Sequence, residues 1–275
     1  RQKILKRKVT DTSMKLSLSL AQISCSHSDV QKNLSIAETF VKKASEKKSD
    51  IIIFPEMWHP GKPLAESLPH ASKPNEGVYV FLSKMAKDYH ICITGSHLTL
   101  KNSQHYNTSV FYDNNGNLSA EYDKIHLFRL MNEQKYLQAG NTSFVFDTSV
   151  AKCGMVICYD IRFPELMRNL ALNSAKIIFV SAAWPKVRLE HWKILLQARA
   201  IENQIFIAAC NRTDTLHTQK LAGHSMIIDP WGNILVEGSE EPELISAEID
   251  LSVIEQVRSV IDVYRDRRSS YSWVK

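Results

Sequence analysis

GMVICYDIRFPEL, residues 154–166, changes character half-way along, and that change decides the fold class. Its first five residues form an apolar strand ending at Cys158. Tyr159, Asp160 and Arg162 then open a turn, and Pro164 suits the first turn of a helix running to about residue 173. A strand that hands over to a helix through a polar turn belongs to an α/β architecture. The same alternation continues downstream, with a strand at 176–181, a helix at 189–203, a strand at 205–210 and a hairpin turning at Trp231-Gly232-Asn233. Upstream, Leu16, Leu18 and Leu20 alternate with polar residues in a half-buried strand at 15–23. Ser28 and Gln31 stand at capping-box spacing before a helix at 29–48, whose Val30, Leu34, Ala37, Val41 and Ala44 repeat at helical spacing. IIIF at 51–54 reads as a fully buried strand stopped by Pro55. A helix at 76–88, a strand at 91–98 and a hairpin of 107–112 with 118–122 about Asn114-Asn115-Gly116 follow. SFVF at 143–146 pairs with KCGMVIC at 152–158. Helices among so many neighbouring strands predict a layered sandwich with mixed sheets.

Composition narrows the function classes. The chain has 275 residues, 44% hydrophobic and 23% charged, which suits one large globular domain. No apolar run reaches the roughly 18 residues that span a bilayer. Five cysteines, an odd and low number, favour a reducing compartment, and a cytoplasmic location is expected. Of the net charge of +5, residues 1–13 supply +4 through Arg1, Lys3, Lys6, Arg7 and Lys8 against Asp11. A basic leader on a near-neutral body argues against a nucleic-acid groove. Residues 1–13 read as an added or upstream-translated extension, with a genuine basic arm as the rival reading, and 14–275 as a single domain. There is no phosphate-cradling glycine motif, no H-E-x-x-H and no C-x-x-C, so neither a nucleotide nor a structural zinc ion is expected.

Three polar residues fall on strand ends, where α/β folds gather reactive groups. Glu56 follows IIIF in FPEMW, Lys124 closes a hairpin strand in YDKIHLF, and Cys158 ends GMVIC. Taken singly, Glu56 suits a cap, Lys124 a surface charge and Cys158 an inert buried thiol. Cys25, Cys92, Cys153 and Cys210 have that last character, as small hydrophobes inside strands.

The three motifs in this order resemble the glutamate, lysine and cysteine signatures of the nitrilase superfamily of carbon–nitrogen hydrolases. The resemblance covers residues 15–271, including HWKILLQARAIENQ at 191–204, GHSMIIDPWGNIL at 223–235 and VYRDRRSSY at 263–271. YDKIHLF, and AAWP with HW after it, are most similar to the omega-amidase branch, which removes ammonia from dicarboxylic acid monoamides such as 2-oxoglutaramate. The stretch from Lys124 to Gly140 is shorter than in some animal members, yet Glu133 matches the family's accessory glutamate.

The resemblance implies a four-layer α-β-β-α sandwich and a cofactor-free amidohydrolase acting through a thioester. Cys158 would be the nucleophile, Glu56 the proton shuttle, and Lys124 with the Tyr159 N–H the oxyanion hole; Glu133 would orient the amide and hold Lys124. It also implies a homodimer in which a helix near the cysteine loop and the tail (Val263, Tyr264, Arg265, Tyr271, Trp273) meet. Phe128 and Trp184 either wall the substrate pocket or pack in the core. Arg129, Arg162 and Arg188 lie nearest the motifs as partners for a substrate carboxylate, although Arg162 is expected to pair with Asp160 or Glu165. His126 and His191 are expected to hydrogen-bond the motif loops. Hydrolysis of N-carbamoyl amines, aliphatic amides or nitriles is the alternative chemistry. A metal-dependent phosphoesterase or a catalytically silent binding module would be the alternative class.

Overall fold

The computed structural model describes residues 15–216, 218–268 and 270. The basic extension at 1–13 and the tail residues Tyr271 and Trp273 lie outside them. The strands are β1 (Lys15–Gln22), β2 (Ile51–Ile53), β3 (Cys92–Lys101), β4 (Gln104–Tyr112), β5 (Leu118–Asp123), β6 (Phe146–Asp147), β7 (Lys152–Ile157), β8 (Ile177–Ala182), β9 (Phe206–Asn211), β10 (Thr215–Leu216), β11 (Gln219–Lys220), β12 (Met226–Ile228), β13 (Ile234–Glu237) and β14 (Glu243–Asp250). The helices are α1 (Val30–Glu46), α2 (Leu64–Ser67), α3 (Val78–Tyr89), α4 (Pro164–Leu172), α5 (Leu189–Asn203), α6 (Ser252–Val260) and α7 (Val263–Asp266).

Two six-stranded sheets form, ordered β14-β1-β2-β3-β4-β5 and β13-β12-β9-β8-β7-β6. Each is mixed: its three central strands run parallel (β1-β2-β3 and β7-β8-β9) and antiparallel strands flank them. The alternation of β1 places Leu16, Leu18 and Leu20 in the core between the sheets, with Phe111, Met155 and Phe179. Ile52, Phe54 and Ile93 face the other way, against α1 and α3 through Val41, Tyr79 and Leu82. On the far side, Trp192, Leu196 and Ala200 of α5 and Leu166, Met167 and Leu170 of α4 cover the second sheet. The order of layers is therefore helix, sheet, sheet, helix, as expected. Fully burying an aliphatic side chain such as Val41 contributes about 1.5–3 kcal/mol, so the apolar stripe of α1 holds that layer in place.

The boundaries teach some local physics. The N-cap of α1 is Asp29, whose carboxylate accepts the Lys32 N–H at 3.0 Å, in place of a Ser28–Gln31 box. A charged acceptor at a helix N-terminus outcompetes a hydroxyl one residue earlier. Strands β3 and β4 are longer than expected and meet at Asn102-Ser103, both at positive φ, a two-residue turn with the twist a tight hairpin needs. SFVF is mostly irregular; only Phe146 and Asp147 pair with β7.

Candidate active site

Glu56 stands three residues past β2, where the chain leaves the first sheet and touches the second. Its N–H donates to Ala182 O at 3.1 Å, and Ser181 Oγ donates to Phe54 O at 2.9 Å. These bonds tie the tips of β2 and β8 and bring the carboxylate between the sheets. Lys124 follows β5 directly. Its backbone is fixed by Lys124 N to Asn107 O and Gly140 N to Lys124 O, both 2.9 Å. Any side chain at Gly140 would put its Cβ 2.2 Å from Asp123 O, so this close approach requires glycine.

The side chains form a compact charged group. Lys124 Nζ donates to Glu56 Oε1 at 2.8 Å and to Glu133 Oε1 at 2.9 Å. Glu56 also accepts Asn107 Nδ2 at 2.8 Å, and the backbone N–H of Ala183 at 3.0 Å. Asn107 in turn accepts Ser96 Oγ at 2.8 Å. Glu133 Oε2 accepts the Phe128 N–H at 2.8 Å. Burial works against the Lys124 ammonium, but Glu133 and Glu56 outweigh it and raise its pKa well above the ordinary lysine value. Burial, with Glu56 nearby, raises the Glu133 carboxyl despite the opposing pull of Lys124. The cluster is buried, so it can retain its charges only because each has a partner.

Cys158 sits one residue beyond β7, at φ +48°, in the left-handed region that non-glycine residues avoid. Such a backbone costs roughly 1–3 kcal/mol and needs support from its surroundings. Asp160, fully buried, supplies it. One oxygen accepts Ile157 N at 3.0 Å and Tyr122 OH at 2.8 Å; the other accepts His126 N at 3.0 Å and Nδ1 at 2.8 Å. One carboxylate thus binds the cysteine turn to the Lys124 loop. Burial and then the negative charge of Glu56 push the Cys158 thiol well up, while Lys124 pulls it down. The resting group is therefore a thiol, with a carboxylate close by to take its proton.

Cys158, Lys124, Glu56 and Glu133 line one cavity of ≈ 70 Å³, with Tyr159, Phe128, Trp184 and Arg188 also in its wall. Arg129 does not line it. The 3₁₀ turn Arg129–Met131 turns about every three residues, so Phe128 and Met131 take the cavity side and Arg129 is left exposed. Arg162 pairs with neither Asp160 nor Glu165, because both Asp160 oxygens are already engaged. It bonds His191 Nδ1 at 3.2 Å and lies 4.8 Å from the Trp184 ring, in the cavity wall. Three residues of the site are not marked as functional by the sequence pattern: Asn107, Arg212 and Asp160, which reads only as a turn residue and a partner for Arg162. Arg212, buried beside the cavity, pairs with Asp214 at 2.6 Å and donates to Gly61 O at 2.9 Å, anchoring the loop after Glu56. A usable signal was present, since NRTD follows the apolar strand FIAAC just as FPE follows III.

The carbon–nitrogen hydrolase family model matches residues 17–259. The chain belongs to the carbon–nitrogen hydrolase family. As a carbon–nitrogen hydrolase it is 43% identical to the 2-oxoglutaramate amidase of Bacillus subtilis, over 93% of this chain and 98% of that one. It is 32% identical to the omega-amidase NIT3 of Saccharomyces cerevisiae, over 93% and 94% of the two chains. Among solved structures, Nit3 of S. cerevisiae superposes with a TM-score of 0.86 at 31% identity, covering 92% of this hydrolase and 97% of that chain. XC1258 of Xanthomonas campestris, a CN-hydrolase superfamily protein with an arsenic adduct in its active site, gives 0.87 at 28% identity, covering 94% and 99%. The α-β-β-α sandwich is the fold of this superfamily.

Proposed function

We propose that this hydrolase is an omega-amidase, releasing ammonia from the terminal amide of a short dicarboxylic acid monoamide such as 2-oxoglutaramate. One observation carries the substrate class. Lys124 and Arg212 are balanced by carboxylates, but Lys62, Arg162 and Arg188 line the same cavity with no carboxylate partner among the described residues. Arg188 Nη1 is buried and has no hydrogen-bond partner among the described residues, and its guanidinium lies 6.0 Å from the Phe128 ring. An unpaired buried guanidinium nitrogen is costly unless a ligand carboxylate completes it. The relatives named for 2-oxoglutaramate and omega-amide hydrolysis support the same class.

The mechanism follows from the cluster. Glu56 takes the Cys158 proton as sulfur attacks the amide carbon. The resulting oxyanion lies against the Lys124 ammonium and the N–H of Tyr159, the second residue of the 3₁₀ turn Cys158–Arg162, too near its start to bond within it. Glu56 gives the proton to nitrogen, the carbon–nitrogen bond breaks, and ammonia leaves a thioester on Cys158. Glu56 next deprotonates water, which attacks the thioester; the acid departs and sulfur regains a proton. Glu133 keeps Lys124 in place and orients the amide.

Replacing Arg188 by Ala tests the substrate reading. With 2-oxoglutaramate, kcat/KM falls about 10- to 100-fold, whereas a neutral amide of equal length loses little. Equal losses on both would remove the carboxylate anchor. Glu56→Gln slows both acylation and deacylation; weakened binding alone would make Glu56 a positioning group. Water and the amide are the only reactants required. All five cysteines are unpaired, which supports a reducing, cytoplasmic setting. A homodimer is the expected assembly. Val187, Ile194 and Ile201 leave an apolar stripe exposed along α5 and the turn before it, and Val260 and Ile261 are exposed at the end of α6. Ile194→Asp should convert the dimer to monomer in light scattering.

A further inference from the structure

Beside the reaction cavity lies an outer groove of ≈ 310 Å³, and the two share Leu64, Met131 and Leu216 in their walls. We infer that these three side chains form a partition that sets the longest substrate the enzyme accepts, and that the groove behind it is a latent subsite for an uncharged amide chain. Each side chain comes from a different segment: Leu64 from α2, Met131 from the 3₁₀ turn after Phe128, Leu216 from β10. Met131 packs on the small apolar cluster of Ala183, Leu216 and Leu221, and no hydrogen bond crosses the partition through these side chains. A wall of this kind is held by packing alone, and an unbranched methionine yields easily.

The two spaces differ in chemistry. Three cations without carboxylate partners face the inner cavity. Among the described residues the remaining groove wall is Ala65, Leu130, Asn132, Tyr136, Thr218 and Gln219, none of them charged. Leu130 is 64% exposed and Tyr136 37%, so the groove offers apolar surface to a ligand. A short monoamide with its carboxylate held inside has no use for that surface, whereas a neutral amide with a longer hydrocarbon chain does. The partition thus limits length, and the cations select charge. The length limit extends the omega-amidase reading but does not depend on the carboxylate anchor.

The test is a series of straight-chain neutral amides from four to eight carbons, run alongside the dicarboxylic monoamides. In the unmodified enzyme kcat/KM should drop at least tenfold beyond a short chain length. Met131→Ala combined with Leu216→Ala should raise the ratio of eight-carbon to four-carbon rates at least tenfold; Met131→Phe should lower it. A ratio is read within one variant, so a general loss of activity cancels, and melting temperatures report the fold. An unchanged ratio in both variants would overturn the partition. If instead the length profile shifts while no preference for carboxylate-bearing substrates is seen, the partition stands and the omega-amidase reading falls.

Discussion

Strand β3 separates two buried polar regions that solve the same problem in opposite ways. Ser96 faces the active site and begins the chain Ser96–Asn107–Glu56–Lys124–Glu133, in which each ionised group has a partner. The next residue, His97, faces the helical layer under α3, its ring edge-on to Tyr79 at 4.7 Å. Neither of its ring nitrogens has a hydrogen-bond partner among the described residues, nor do His59 Nδ1 and Trp58 Nε1 beside it. Burial lowers the pKa of His97 to about 3 and of His59 to about 4. One region keeps its charges because they are paired; the other stays neutral because nothing would pair them. A few ångströms of sheet therefore divide reactive electrostatics from inert packing.

The largest expected effect comes from removing the group that the paired region exists to activate. Cys158→Ala should lower amidase turnover by roughly four orders of magnitude or more and abolish thiol labelling at the cavity, with the fold retained. Cys210 provides the contrast. It lies in β9, level with Ile157 across Ser181 of β8, and is fully buried. Cys210→Ala should leave kcat within about twofold and cost about 1 kcal/mol in stability. Substantial activity in Cys158→Ala would mean that the charged cluster serves some other nucleophile.

Next is the central cation. Lys124→Met should reduce kcat about 10²- to 10³-fold through loss of oxyanion stabilisation. It should also destabilise the protein by about 3–5 kcal/mol, because Glu56 and Glu133 would then face each other buried and unpaired. Adding Glu133→Gln should restore much of the urea midpoint without restoring activity. If stability did not recover, the pairing would not be what makes this burial tolerable.

A smaller effect follows from the support beneath the cysteine turn. Asp160→Asn keeps the shape but loses the charge that accepts four donors, two of them from His126. A drop of about 10- to 100-fold in kcat with little change in KM is expected, since a displaced thiol loses near-attack geometry. Tyr122→Phe deletes only one of those donors and should cost less. A purely structural role would lower the melting temperature and leave the kcat of the folded fraction unchanged.

How much of this was legible depended on whether the determinant was local. Strand ends, helix stripes and the turn opened by Cys158 are written in adjacent residues, so Glu56, Lys124 and Cys158 stood out as tips. That three tips share one cavity is a property of two sheets packing face to face, and local pattern does not encode it; the resemblance in FPEMW, YDKIHLF and CYDIRFPE supplied that step. No local pattern marks Asp160 as the support of the cysteine turn, because its four donors come from residues 122, 126 and 157, brought together only by the fold. Arg129 misled for the converse reason: nearness to Lys124 in sequence says nothing of which side of a 3₁₀ turn a side chain takes. Ile245, Ala247 and Ile249 alternate along β14, a strand pattern, but the pairing with β1, more than 220 residues earlier, is not local.

The neutral side of the comparison is tested last, in stability and not in rate. An unfolded histidine titrates near 6.5, whereas His59 and His97 in the folded protein do so near 4 and 3. Between pH 6.5 and 4 the unfolded chain therefore binds protons that the native protein does not, and stability must fall as pH falls. At pH 5 the loss is about 2 kcal/mol for each histidine relative to pH 7.5. Urea unfolding of the intact protein and of His97→Leu at these two pH values measures it. The variant should lose the part of the slope that His97 supplies, because His59 still titrates and the raised Glu133 carboxyl acts with opposite sign but equally in both proteins. Equal slopes would mean that His97 finds a partner for its proton, and the contrast between the two faces of β3 would then be one of degree.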